Sequence, residues 1–267
     1  MTYLSRIRIN PLRAESRKLL GNPRAMHGAV MNGVADDPLA ERVLWRLDSD
    51  NPRRPMLYVL TRSRPDWTHI IERAGWPDAD GEHATVRGYG PLLAQIAVGR
   101  EFAFRLTASP VQNTSTPVKP TADQAARTAR GETRSFRLGH RTAAAQLSWL
   151  LQRTRRWGFE IPESRTDAAA PGLAARPAVD GESTEWPSGD HPREVRITAR
   201  DRCSFAKNGR GAPVVVHTVT FEGHLRVTDA GLLTDHLLGG IGPAKAYGCG
   251  LLTLASLRGS HSGQEKD

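Results

Sequence analysis

The densest chemical signal in the sequence is the run Gly239-Gly240-Ile241-Gly242-Pro243-Ala244-Lys245-Ala246-Tyr247-Gly248-Cys249-Gly250. Its glycines leave backbone N–H groups free to approach a phosphate, and Lys245 stands beside them as a point charge. Two familiar nucleotide loops do not match. A Walker A loop needs Gly-Lys-Ser/Thr, whereas Lys245 lies between alanines. A dinucleotide fingerprint begun at Gly240 has Lys245 where its last glycine belongs. A turn that only packs a helix on a strand accounts for these residues equally well. Nine histidines supply groups that titrate near neutrality, although a histidine taken alone is more often structural than catalytic. Cys203 and Cys249 have no CxxC spacing, which argues against a disulfide scaffold and a zinc knuckle and leaves two reduced, structural thiols. No metal and no cofactor is expected.

Charge indicates the class of partner. The 267 residues carry 37 Lys and Arg against 28 Asp and Glu, a net charge of +9, and the sequence pI is about 10.2. A polyanion is the natural complement. The surplus is uneven: Arg127, Arg130, Arg134, Arg137, Arg141, Arg153, Arg155 and Arg156 face only Glu132 in their stretch. Residues 193–210 repeat the pattern with Arg193, Arg196, Arg200, Arg202, Lys207 and Arg210. A hydrophobic content of 39% and a mean hydropathy of -0.46 fit a soluble chain with real cores. No apolar stretch reaches the roughly 18 residues of a membrane span. Residues 1–10 alternate apolar and polar side chains, unlike a secretory signal, so the expected location is cytoplasmic.

The elements that must position these groups follow from periodicity. Tyr3 to Ile9 reads as a strand, and Asn22-Pro23 opens a helix through Met31. Val43–Leu47 and Met56–Thr61 read as strands, Pro91–Val98 as a short helix and Glu101–Ala108 as an alternating strand. That order is βαββαβ, the ferredoxin-like unit whose sheet serves RNA-recognition modules. Residues 109–133 read as a linker. A second unit over 134–258 has a helix from His140 to Trp157 stopped by Gly158, a flexible insertion at 162–192, and strands Val195–Phe205 and Val214–Val227. The turn 207–211 joins those two strands, and Gly223 marks a bulge in the longer one. Asp229 caps a helix ending at Gly239-Gly240, Leu251–Leu254 is the last strand, and 259–267 is a disordered tail. The expected fold is therefore α+β, two tandem ferredoxin-like domains (1–108 and 134–258) with a C-terminal glycine-rich loop at 239–250.

The segment Gly240 to Leu254 resembles the glycine-rich signature of CRISPR-associated RAMP endoribonucleases, and specifically the CasE family of the type I-E Cascade complex. Supporting residues run along most of the chain: Tyr3-Leu4-Ser5-Arg6, Met26-His27, Phe104-Arg105-Leu106, Arg134 to Arg153, and Val219 to Leu225. The resemblance implies metal-independent cleavage on the 3′ side of the repeat hairpin in precursor guide RNA. It also implies that the product hairpin is retained and that other Cascade subunits are partners, with no membrane involved.

Such cleavage needs the ribose 2′-hydroxyl to lose a proton, in-line attack on phosphorus to give a 2′,3′-cyclic phosphate, and a proton for the leaving 5′ oxygen. The resemblance places the catalytic histidine at His27. A tyrosine common three residues earlier in the family is replaced by Arg24, which cannot act as a base but can stabilise the phosphorane. The second proton-transfer group is then open, with water, Lys18 or another unmatched residue available, while Tyr247 is better suited to core packing or base stacking. The expected position of His27 near a helix start depresses its pKa and favours the neutral ring. By analogy Arg200, Arg202, Lys207 and Arg210 engage the stem from a hairpin, joined by Arg137, Arg141, Lys245 and the loop glycines Gly240, Gly242, Gly248 and Gly250. An alternative reading is a catalytically inactive subunit that only binds the hairpin; a small-molecule nucleotide enzyme and a zinc protein have no matching motif.

Overall fold

The structure is a computed structural model that describes residues 1–35, 41–77, 81–115, 120–131, 135–164, 193–205 and 214–257. Lys207, Arg210 and the turn 207–211, the tail 259–267, and residues 165–192 of the expected insertion lie outside the described residues.

The chain begins with β1 (Tyr3–Arg8), α1 (Ala14–Gly21), α2 (Pro23–Met31), β2 (Leu44–Asp48), β3 (Met56–Thr61), α3 (Thr68–Ala74) and β4 (Ala84–Gly88). The strands form an antiparallel sheet in the order β2-β3-β1-β4. Strand alternation puts Ile7, Trp45, Leu57 and Val59 on one face, where they share a core with Leu19, Met26, Val30 and Ile70 of the helices.

Next come α4 (Gly90–Leu93), β5 (Glu101–Ala108), β6 (Val111–Thr114), α5 (Ala122–Ala129), β7 (Phe136–Gly139) and α6 (Ala143–Leu151). After a 3-10 turn, Thr154–Trp157, follow β8 (Phe159–Glu160), β9 (Val195–Phe205), β10 (Val214–Val227), α7 (Ala230–Gly239), a second 3-10 turn, Lys245–Tyr247, and β11 (Leu252–Ala255). The second sheet runs β11-β5-β10-β8, with β9 also paired to β10. Its core joins Phe102, Phe104, Leu106 and Phe221 to Leu150, Leu233 and Leu237, and takes in Leu44 and Leu60 from the first sheet. The architecture is mixed α+β with several antiparallel sheets. No helix among the described residues is long and apolar enough to cross a membrane.

Several sequence expectations are corrected. Glu101–Ala108, expected as the last strand of the N-terminal unit, pairs with β10 and β11 in the second sheet. The helix and strand that complete the first sheet are α3 and β4 instead. Residues 109–133, expected as a linker, contain β6, which pairs with β7, and α5, whose start is fixed by a Thr121–Gln124 capping box. The helix expected over His140–Trp157 is split. Thr142 caps α6 by accepting from the Ala145 N–H, and a separate 3-10 turn ends at Gly158 in left-handed conformation (φ 82°).

In β10 the register shift falls between Thr220 and Phe221 rather than at Gly223. Gly223 is nevertheless sterically required, because a Cβ there would run into the Glu194 carbonyl oxygen.

Candidate nucleic-acid interface and catalytic helix

Helix α2 starts as its sequence dictates. The Asn22 side chain accepts from the Arg24 and Ala25 N–H groups, and Pro23 occupies the first turn. Met26 and Val30 face the core, which leaves His27 half-buried and Arg24 exposed one turn earlier on the neighbouring face. Among the described residues the buried His27 Nδ1 has no hydrogen-bond partner, which leaves Nε2 as the ring nitrogen to meet a substrate. The His27 pKa is lowered as expected, but the cause is burial rather than the helix start, since His27 lies beyond the first turn.

The glycine-rich loop is built against this helix. Its 3-10 turn, Lys245–Tyr247, packs on α2 and on β2. The Ile241 N–H bonds the Gly250 carbonyl at 2.9 Å and closes the loop, while the Gly250 N–H ties it to the Thr107 carbonyl of β5 at 2.8 Å. Gly240, Gly248 and Gly250 are buried in protein rather than open to solvent, and Gly242 is partly covered. A Cβ on Gly240 would meet Leu44 at 2.6 Å, and one on Gly248 would meet the Trp45 ring at 2.9 Å. Gly248 also holds φ 82°. Gly248→Ala is expected to lower stability by about 1–2 kcal/mol from the left-handed backbone alone, with a further loss as Trp45 shifts; urea unfolding measures it.

The aliphatic stem of Lys245 runs between Gly240 and Gly250. Burial and the nearby Arg42 charge lower the Lys245 pKa. Ala244, held at φ 64°, sets the direction in which the turn leaves. Tyr247 is engaged edge-on with Phe205 at the end of β9, with ring centroids 4.9 Å apart. The loop therefore touches the His27 helix on one side and the turn end of the β9–β10 hairpin on the other. Burial pushes the Cys249 thiol up to about 12, as befits a structural cysteine.

Of the expected RNA-contacting residues, Arg141, Arg200 and Arg202 line one groove of about 700 Å³ between the start of α6 and the β9–β10 hairpin. Arg200 donates to the Arg141 carbonyl and joins the two walls. Arg137 is exposed on β7 and is not among the residues lining that groove.

Sequence reasoning missed three participants. His140 and His217 also line the groove. His217 had a visible signal, because it occupies the otherwise apolar odd face of β10. Arg46 gave none: it looks like a surface arginine on a strand, yet it is 2% exposed and joins the two sheets.

The chain matches the family described as CRISPR associated protein over residues 2–256. It is 27% identical over 261 residues to the CRISPR-associated endoribonuclease Cse3 of Thermus thermophilus, covering 95% of this chain and 99% of that one. It is 29% identical over 218 residues to the CRISPR system Cascade subunit CasE of Escherichia coli K12, covering 80% and 89%. The structure of Thermus thermophilus Cse3 bound to an RNA representing a pre-cleavage complex superposes with a TM-score of 0.64 at 25% identity, covering 95% of this chain and 98% of that one. A family match across nearly the whole chain, with two relatives of the same kind, places this protein in the CRISPR-associated Cse3/CasE family.

Proposed function

We propose that this chain is a CRISPR repeat-RNA endoribonuclease that cuts on the 3′ side of the repeat hairpin without metal and keeps the hairpin it has cut as part of Cascade. The supporting observation is the packing of the Lys245–Tyr247 turn between the His27 helix and Phe205 of the arginine-bearing hairpin. That contact puts the proton-transfer group and the phosphate-binding groups on one continuous framework.

In this reading each sheet is a ferredoxin-like unit, the first ending at β4 and the second beginning at β5. Both carry their strands in the spatial order second-third-first-fourth, with β8 and β9 sharing the second place in the later unit. An A-form stem presents phosphates and a shallow minor groove, so Arg141, Arg200 and Arg202 meet its backbone, with Arg137, Lys207 and Arg210 as further contacts. Lys245 faces the phosphate nearest the cut, while the buried loop glycines set the shape that presents it.

His27, neutral at pH 7, takes the 2′-hydroxyl proton at Nε2. Arg24 stabilises the phosphorane, the P–O5′ bond breaks as the 2′ oxygen bonds phosphorus, and the leaving 5′ oxygen takes a proton from water, giving a 2′,3′-cyclic phosphate. A base must be unprotonated, and burial holds the His27 ring below its ordinary value. The acid limb of the cleavage profile is therefore expected to have its midpoint below about 6.5, the ordinary histidine value. The stability linkage has the same sign. The unfolded chain binds this proton more readily, so the contribution of His27 is present above its ordinary pKa and is lost as pH falls. A single-turnover pH profile beside urea melts at each pH checks both statements.

The test of the reaction is incubation with the repeat hairpin RNA in EDTA, beside the same RNA carrying one 2′-deoxy at the cut. Cleavage of the first and survival of the second is the expected result. Cleavage of both would remove the 2′-hydroxyl from the mechanism. Tight binding with no cleavage of either would favour the hairpin-binding subunit that Arg24, standing where relatives of this kind often carry tyrosine, brings into consideration.

A further inference from the structure

We propose that the groove between the start of α6 and the β9–β10 hairpin is a single-nucleotide subsite, which holds the base of one unpaired ribonucleotide at the end of the stem against His140 and His217, while Arg141, Arg200 and Arg202 hold the phosphates that join it to the stem backbone. This rests on the RNA-processing reading above and adds to it an unpaired nucleotide as the ligand.

The groove exists because the face of the second sheet outruns the helices that cover it. Along one side of β10, Val219 is 1% exposed, His217 half-buried and Val215 40% exposed. Directly across on β9, Arg202 pairs with His217 and Arg200 with Val219. The same face that is apolar core further along thus opens into a pocket floored by Val215 and an imidazole and rimmed by guanidinium groups. The opposite wall is the His140-Arg141 segment. It is held in place by Gln146, whose side-chain N–H bonds the His140 carbonyl at 2.8 Å. The His217 ring lies against Gly139, where even a Cβ would stand 3.8 Å away, so the ring spans towards β7. Asp201 is the carboxylate among the lining residues, against three arginines.

Size and chemistry select the occupant. A volume of about 700 Å³ lies within the range of small-ligand pockets. A base-paired stem can lay phosphates across the mouth but cannot enter. An extruded nucleotide enters whole and satisfies both halves of the lining: a flat apolar ring against imidazoles and Val215, and an anion against the arginines. Arginines alone would read only backbone charge. The two imidazoles and the exposed Val215 beside His217 on β10 give the site a use for the base.

The test is a coupling measurement on the full-length protein with its repeat hairpin RNA and natural flanks, in EDTA at fixed salt. Each unpaired position is replaced in turn by an abasic ribonucleotide, and Kd is measured for wild type, His217→Ala and His217→Phe. The expected result is one position whose base loss weakens wild-type binding about tenfold, the size of a base-stacking contact. His217→Ala should show the same loss with the intact RNA and no further loss with that abasic RNA. His217→Phe, which keeps a ring, should restore most of the affinity and also shows that the strand tolerates substitution. Three outcomes overturn the proposal: no unpaired position matters, the losses simply add, or His217→Ala binds as wild type. Wild type that binds no repeat hairpin would overturn the RNA-processing reading itself, which separates that failure from failure of the subsite.

Discussion

His27→Ala is expected to lower the single-turnover cleavage rate by about 100- to 10,000-fold, the usual contribution of a positioned acid or base, while leaving hairpin affinity unchanged. The side chain sits on a nine-residue helix whose core contacts are made by Met26 and Val30, so alanine preserves both the fold and the packing of the loop against α2. Burial holds the His27 ring below its ordinary pKa, so the neutral form, with its proton on Nδ1 and the Nε2 lone pair free, is the one available to act as a base. The variant should also lose the acid limb of the pH profile, a readout that a purely structural role would not move. Gel-resolved cleavage and a parallel binding titration make the measurement. Wild-type cleavage by the variant would remove His27 from the reaction, and loss of binding in step with cleavage would reassign it to RNA contact.

Much of this arrangement is legible in the sequence where local and long-range demands agree. Asn22-Pro23 starts α2 and Asp229 caps α7 because each cap is complete within a few residues. The alternation in β5, β9 and β10 survives because each lies in a half-covered sheet. The errors arise where tertiary contacts decide. Helix α3 is seven residues long, too short to show a period, and exists because Ile70 and Ala74 are buried against the first sheet. Among the described residues, strand β4 is an edge strand paired to β1 alone, with partly buried Ala84 and Val86 on it. With these two unread, Pro91–Val98 and Glu101–Ala108 filled a helix slot and a strand slot in the same βαββαβ pattern. Element order alone does not reveal the substitution; the pairing of Leu106 with Phe221 and Leu252 does. In the site, the loop and the arginines announce themselves by composition. His140 and His217 matter only because folding sets them on facing walls.

Arg46→Ala is expected to destabilise the protein by about 3 kcal/mol, at the low end of what breaking a buried ion pair does. The Arg46 Nε and Nη2 donate to the two Asp48 carboxylate oxygens at 2.7 and 3.0 Å. Its Nη1 reaches the Arg105 carbonyl, the Leu251 carbonyl and the Thr253 hydroxyl at 3.0, 3.1 and 2.9 Å. One guanidinium on β2 thus bonds to β5, β11 and the residue that follows the glycine-rich loop. Alanine leaves two carbonyls without this donor and empties the space over Tyr58, whose ring centroid lies 5.3 Å from the guanidinium carbon. Asp48 keeps Arg105 at 3.5 Å, which is why the loss sits at the low end. Arg46→Lys keeps the charge but cannot bond the carboxylate in two places and still reach three acceptors on the other sheet, so it should recover less than half of the stability. Urea unfolding of both variants measures this, and an alanine variant as stable as wild type, or full recovery by lysine, would sink it. The junction also bears on cleavage. The loop hangs between β2 and β5, with its Gly240 and Gly248 against Leu44 and Trp45 and its Gly250 N–H on Thr107. Loosening the sheets at Arg46 should therefore shift Lys245 relative to His27 and slow the cut even though Arg46 itself is sealed from RNA.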